Sequence, residues 1–133
     1  MEFSSALQCQ GAKVEVMPFR GRVLEVKGTT IRWLSREGED NSGNPEYGLR
    51  HFTIEPGGEI PIHEHFYHQT MYFLSGTAEC LSFDSRSEEI KEKRIARPGD
   101  YVFVPSMEVH GMKNAGDDPV TFLCCIGTVY DRE

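Results

Sequence analysis

The sequence predicts an all-β protein built as a jelly-roll barrel, and three kinds of observation support this prediction. Apolar residues occur in short runs, and several of these alternate with polar residues, as in strands with one buried face. Turns rich in Gly and Pro separate the runs at regular spacing, as in barrels and sandwiches. No stretch shows sustained helical periodicity. At 133 residues, the chain is long enough for one domain with a hydrophobic core.

The strands can be placed in order along the chain. Residues 1–12 are largely polar and are expected to form a flexible N-terminal segment, followed by a single domain over residues 13–133. The loop signal is clearest in residues 35–47, which contain several Gly and Asn residues and a Pro. Residues 56–58, Pro-Gly-Gly, are expected to end a strand. The predicted strands cover residues 13–16, 22–27, 29–34, 49–55, 60–75, 78–83, 88–96, 101–104 and 120–129.

Composition and charge exclude several classes of partner. The net charge of -7 and the pI near 5.2 argue against nucleic acids and anionic membrane surfaces, because both select a basic protein face. No apolar run approaches the length of a membrane span, and the N-terminus lacks the pattern of a signal peptide. The cysteines form no zinc-type pair and are predicted to be reduced thiols: Cys9, Cys80, Cys124 and Cys125. We therefore expect a cytoplasmic protein.

A cluster of histidines carries the strongest chemical signal. His63, His65 and His68 fall within six positions of one predicted strand. Side chains alternate between the faces of a strand, so His63, His65 and Gln69 are expected on one face and His68 on the other. Neutral imidazole is the commonest metal ligand in proteins. The shared face therefore predicts part of a site for one divalent transition metal, which His110 would complete.

Two spaced motifs resemble those of the cupin superfamily, and in particular its small single-domain members with a conserved barrel. The first cupin motif reads G-(x)5-H-x-H-(x)3,4-E-(x)6-G, and the residues that fit its spacing are Gly57, His63, His65, Gln69 and Gly76. Gln69 stands where the family usually has Glu. The second motif reads G-(x)5-P-x-G-(x)2-H-(x)3-N, and the residues that fit it are Gly99, Pro105, His110 and Asn114, with Met107 in place of the middle Gly.

The resemblance implies a double-stranded β-helix, which is the cupin form of the jelly roll. It also implies a metal held by His63, His65, Gln69 and His110. Gln69 has two alternative roles, either as the fourth ligand or as a hydrogen-bond neighbour of a ligand or of metal-bound water. The ligand types leave the metal open among zinc, nickel, iron, manganese and cobalt.

Strand parity predicts an apolar pocket beside the metal. The residues expected to line it are Met71, Phe73, Tyr101, Phe103 and Phe122. An apolar pocket above a metal in a small barrel is suited to a small organic molecule. The last predicted strand, residues 120–129, is apolar on both faces. One face is therefore expected to contact a partner subunit in a homodimer.

The predicted function is small-molecule chemistry in which the metal acts as a Lewis acid, of an isomerase or lyase type on a sugar acid or hydroxy-carbonyl compound. Neutral ligands would leave the ion its full charge. The spacing H-x-H-(x)3-Q followed by Y-x-L-x-G resembles the small cupins that ketonise unsaturated uronates, which adds Tyr72 as a candidate. The alternatives are a metal-dependent dioxygenase resembling the quercetin-cleaving cupins and a binding module without turnover. No catalytic residue is identified.

Overall fold

The computed structural model describes residues 1–35 and 46–127, so most of the loop predicted at 35–47 and the last two residues of the predicted strand 120–129 lie outside the described residues. No helix in these ranges is long and apolar enough to cross a membrane. The elements are a 3-10 helix at Ala6–Gln8 and strands β1 (Gly11–Phe19), β2 (Arg22–Ser35), β3 (Tyr47–His63), β4 (Gln69–Ser75), β5 (Ala78–Phe83), β6 (Ile90–Ala96), β7 (Tyr101–Val104), β8 (His110–Asn114) and β9 (Val120–Gly127).

The strands of the described chain form one antiparallel sheet that curls into a nearly closed barrel. The order along the sheet is β6-β5-β8-β3-β9-β4-β7, with β2 pairing with β3 and β1 pairing with β2. The end strands β6 and β7 do not pair with each other in this arrangement, which leaves a seam in the wall. The prediction of an all-β jelly-roll barrel is confirmed.

Strand β3 is the central strand, and it is longer than the sequence indicates. Residues 56–58 were expected to end a strand, but β3 continues through them. On the neighbouring strand, Gly28 alone lies opposite residues 55–58, so the extra residues form a bulge. Gly57 has a φ of 81°, and a Cβ on Gly58 would lie 2.8 Å from the Lys27 carbonyl oxygen. The glycines therefore bend the strand, so that it pairs with β9 before the bulge and with β8 after it.

Other strands also differ from the prediction. Strand β1 covers Gly11–Phe19 rather than residues 13–16, so it begins within the segment predicted to be flexible. Strand β2 joins the predicted segments 22–27 and 29–34, because Gly28 takes a φ of 57° without interrupting the strand. Strand β8 has no counterpart among the predicted strands, since its sequence, HGMKN, contains turn-prone Gly and Asn. Gly111 is favoured there by close approach, as a Cβ on it would lie 3.1 Å from the Ile60 carbonyl oxygen.

The core fills the inside of the barrel with alternate side chains of the central strands. Phe122 on β9 stacks on Phe52 of β3 with ring centroids 5.0 Å apart, and it also contacts Phe73 of β4 at 5.3 Å. Cys124 and Ile126 continue the buried face of β9. Burial of these apolar side chains supplies the main driving force for closing the barrel.

Candidate metal centre

Three histidines come together from separate parts of the chain. His63 is the last residue of β3, His65 follows it outside any strand, and His110 is the first residue of β8. His63 and His110 are also directly paired across β3 and β8. One ring nitrogen of each histidine lies within 4.8 Å of the others. The structure thus groups the three histidines that were predicted from the sequence.

The prediction that one continuous strand carries these residues is wrong. Residues 60–75 were expected to form one strand whose alternation places His63, His65 and Gln69 on one face. Instead, β3 ends at His63, residues 64–68 are irregular, and β4 begins at Gln69. Strands β3 and β4 have different pairing partners, so the chain has to leave one strand and enter the other through an irregular segment. Side chains alternate between two faces only within a continuous strand, so the alternation does not extend across that segment.

Backbone carbonyl groups orient all three rings. The Nδ1 atom of each histidine is hydrogen-bonded to the carbonyl oxygen of a residue two positions away, at 2.8 Å for His63, 2.9 Å for His65 and 2.7 Å for His110. A carbonyl can only accept, so Nδ1 carries the proton and Nε2 keeps its lone pair. The same arrangement is characteristic of histidines that ligate metals, because it fixes both the tautomer and the ring orientation.

The histidines are electrostatically suited to bind a cation. Burial lowers the pKa of His63 to about 4 and the pKa of His110 to about 3, and mutual repulsion between the imidazoles adds to both shifts. Burial also lowers the pKa of His65. All three rings are therefore neutral at pH 7. The Nε2 atom of His65 is buried and has no hydrogen-bond partner, so a metal ion would satisfy an otherwise unpaired acceptor.

Gln69 lies beside the histidines, with its amide nitrogen toward them. Its Nε2 is 3.3 Å from Nε2 of His110, while its Oε1 accepts from Nη2 of Arg50 at 3.5 Å. Amides bind metals through oxygen. This orientation fits a hydrogen-bond neighbour of the ligands, and the role of fourth ligand stays a prediction. His68 lies apart, with its Nδ1 accepting from the Ser106 N–H at 2.9 Å.

An apolar cavity of about 160 Å³ opens beside the histidine cluster. Met71 and Phe122 line it, whereas Phe73 is 1 % exposed and packs in the core. The other apolar side chains in its wall, from several strands and the segment after β3, are Val14, Met17, Ile31, Phe52, Ile60, Tyr67 and Met112.

Tyr101 and Phe103 do not line the histidine cavity, contrary to the predicted pocket. Their side chains are 71 % and 53 % exposed and border a second, open groove near the seam between β6 and β7, which touches the cluster only through His110. The register of β7 with β4 explains this, because Val102 pairs with the inward-facing Met71. Phe103 pairs with the exposed Thr70 and therefore faces outward as well.

Sequence reasoning missed Arg50, a buried cation in the same cavity. It lies on β3 opposite Cys124, and its Nη2 donates to the Cys124 sulfur at 2.9 Å. Burial raises the pKa of the Cys124 thiol, which therefore keeps its proton. Strand alternation could have predicted that Arg50 points inward, because it shares one face of β3 with Phe52 and Ile54.

Comparison with known proteins identifies the family. The model of the cupin domain matches residues 50–126. A protein of Methanocaldococcus jannaschii described as uncharacterized is 25 % identical over 85 residues, which cover 64 % of this chain and 63 % of that protein. The chain thus matches less than two thirds of that relative.

Solved structures share the fold. The polyketide cyclase RemF from Streptomyces resistomycificus has a TM-score of 0.73 at 23 % identity, over 96 % of this chain and 80 % of that one. An RmlC-like cupin from Shewanella frigidimarina has a TM-score of 0.68 at 17 % identity, over 96 % and 91 %. Oxalate decarboxylase from Bacillus subtilis has a TM-score of 0.64 at 25 % identity, over 78 % of this chain and 27 % of that enzyme. The protein belongs to the cupin family.

Proposed function

We propose that this cupin binds one divalent transition metal at His63, His65 and His110 and uses it as a Lewis acid on a small organic substrate. The observation that carries the proposal is the convergence of three neutral imidazoles beside an apolar cavity, each with its Nδ1 held by the backbone. The three neutral ligands would leave the ion its full charge, and the ion would polarise an oxygen of the substrate.

The chain's own residues would position the substrate and exclude water. The walls formed by Met71, Phe52 and Phe122 are apolar, so they favour the carbon skeleton of a small molecule. The volume of about 160 Å³ is about half the lower end of the range of about 300–1,000 Å³ that is typical of pockets for drug-sized ligands. It favours a substrate of a few heavy atoms over one the size of a flavonol.

Similarity to enzymes gives the proposal limited further support. RemF is named as a polyketide cyclase and the Bacillus subtilis protein as an oxalate decarboxylase, so the fold is used for catalysis in these relatives. Because one fold hosts many unrelated functions, the reaction itself has to be argued from the site.

The reaction class is tested by exchanging the metal. The purified protein would be loaded separately with zinc and with iron(II), then assayed on unsaturated uronates, hydroxy-carbonyl compounds, diketones and flavonols, with and without oxygen. We expect turnover with zinc in the absence of oxygen. Activity that requires both iron and oxygen would instead identify a dioxygenase and overturn the Lewis-acid mechanism.

A binding module without turnover is the second candidate, and one observation favours it. Within the part of the chain that the structure describes, no carboxylate lines the apolar cavity beside the histidines. Candidates for a general base, such as Glu108, line the second groove, which meets the cluster only at His110. Ligand binding to the metal-loaded protein together with inactivity on the whole panel would favour this alternative.

We also propose that the protein forms a homodimer. The predicted interface was one face of the last strand, and we extend it to the outer face of the neighbouring β4 and β7, because Leu123 of β9 pairs with Tyr72. Tyr72, Leu74, Tyr101 and Phe103 are 43 % exposed or more, and Tyr72 pairs directly with Tyr101. Apolar surface of this kind is commonly covered by a partner. Sedimentation at micromolar concentration should give about twice the chain mass of 15.1 kDa.

The dimer surface has a matched control. Phe103→Asp should shift the sedimenting species toward the monomer, because it places a charge in the apolar face. Ile90→Asp adds the same charge at a residue of β6 that is 48 % exposed, and should leave the mass unchanged. A wild-type protein that sediments only near 15.1 kDa would refute the homodimer.

A further inference from the structure

Arg50 is a buried cation without a buried anion. It is 9 % exposed, and its Nη2 contacts the Cys124 sulfur at 2.9 Å and the Gln69 Oε1 at 3.5 Å. The rings of Trp33 and Phe52 lie 5.5 Å and 5.0 Å from its Cζ. Among the described residues, Arg50 forms no ion pair, and its buried Nε has no hydrogen-bond partner.

This arrangement is unfavourable for the protein alone. A guanidinium group does not lose its proton in proteins, so Arg50 stays charged in the cavity. A buried charge without a counter-ion and a buried N–H without an acceptor both destabilise the folded state. The thiol and the amide that contact Arg50 carry no negative charge. The two aromatic rings compensate only part of the free energy lost when the guanidinium is removed from water.

The position of Arg50 connects it to the histidine cluster. It lines the same cavity as His63, His65 and His110. Gln69 lies between them, with its oxygen on Arg50 and its nitrogen 3.3 Å from Nε2 of His110. A divalent ion on three neutral histidines would add to the positive charge of Arg50, so the ligand that completes the cavity should carry negative charge.

We propose that Arg50 binds the carboxylate of a small organic acid, whose second oxygen-bearing group reaches the histidine cluster. The forked donors of a guanidinium match the two oxygens of a carboxylate, and Arg50 lines the cavity in which that carboxylate would lie. The assignment of the second group rests on the proposed metal site. The binding of a carboxylate by Arg50 does not.

The metal-free protein tests Arg50 by itself. Pyruvate and pyruvamide serve as probes because they are similar in size and differ in charge. Pyruvate should raise the melting temperature of the wild type more than pyruvamide does, and Arg50→Met should abolish the difference. Arg94→Met, at a residue whose side chain is 77 % exposed, is the matched control and should keep it.

Stability separates a binding role from a structural one. Arg50→Met replaces an unpaired buried cation with an apolar side chain of similar length, so the variant without ligand should melt at the same temperature as the wild type or higher. A structural arginine would instead give a clear loss of stability. That loss, or a preference for pyruvate that persists in Arg50→Met, would overturn the proposal.

Cobalt(II)-loaded protein tests the two sites together through its visible absorption spectrum. The wild type should bind pyruvate about tenfold more tightly than pyruvamide, a difference of about 1.4 kcal/mol. Arg50→Met should bind cobalt at least as tightly as the wild type, because a nearby positive charge is removed, and should lose this preference. If cobalt does not bind while pyruvate stabilises the metal-free protein through Arg50, the proposed metal function fails and the carboxylate site stands. If cobalt binds and the wild type shows no preference for pyruvate, the carboxylate site fails and the metal site stands.

Discussion

Replacing His63 and His65 together by alanine is expected to abolish stoichiometric metal binding. The double variant would leave His110 as the one histidine of the cluster, and a single imidazole cannot hold a divalent ion against water. Neither replaced residue belongs to the buried core, so the barrel should keep its fold. Elemental analysis after dialysis measures the metal content, and circular dichroism monitors the fold.

His68→Ala is the control for this experiment. His68 is close in sequence to the cluster, but it contacts the backbone of Ser106 and the ring of Phe103. Its replacement should leave the metal content near the wild-type value. A full equivalent of metal in a folded His63→Ala, His65→Ala protein would contradict the assignment of the site.

Gln69→Glu is expected to have the second largest effect, with tighter metal binding and a lower rate. The new carboxylate would stand where Oε1 now accepts from Arg50 at 3.5 Å, beside His110. It would neutralise part of the charge of both the ion and the guanidinium, which weakens the Lewis acid and the attraction for an anionic substrate. We expect about a tenfold gain in zinc affinity, equal to about 1.4 kcal/mol.

The measurements are zinc titration calorimetry and turnover on whichever substrate the wild type accepts. Gln10→Glu is the matched control, because it adds the same charge at an exposed position before β1. It should change neither zinc affinity nor rate. If Gln69→Glu were faster and had unchanged zinc affinity, the result would contradict the proposal that a neutral side chain at this position keeps the metal ion a strong Lewis acid.

The sequence was sufficient to predict the barrel and the three histidines, for different reasons. Strand and turn patterns are local, and they correctly indicated β5 and β7. Motif spacing identified His63, His65 and His110 even though the single strand invoked to join them does not exist. The spacing of the family motifs indicates which residues come together in the fold, but it does not specify the path of the chain between them.

The remaining features depend on contacts between distant segments. The passage of β3 through residues 56–58 requires Gly28 on the opposite strand, and the outward direction of Phe103 follows from its register with Thr70. The lack of an ion pair for Arg50 depends on all the side chains that pack around it. Strand parity could place Arg50 on the inward face, but it could not show that no carboxylate is packed beside it.

The bend in β3 has a consequence for how the proposed metal site would open. Before the bulge, β3 is paired with β2 on one side and β9 on the other, so its amide hydrogens there should exchange with solvent only when much of the barrel unfolds. After the bulge, His63 is paired with His110 of β8. His63 ends this strand, whereas His65 follows outside any strand. The site therefore combines ligands of unequal local stability. An ion could be released by a local opening at His65, at a rate independent of global unfolding.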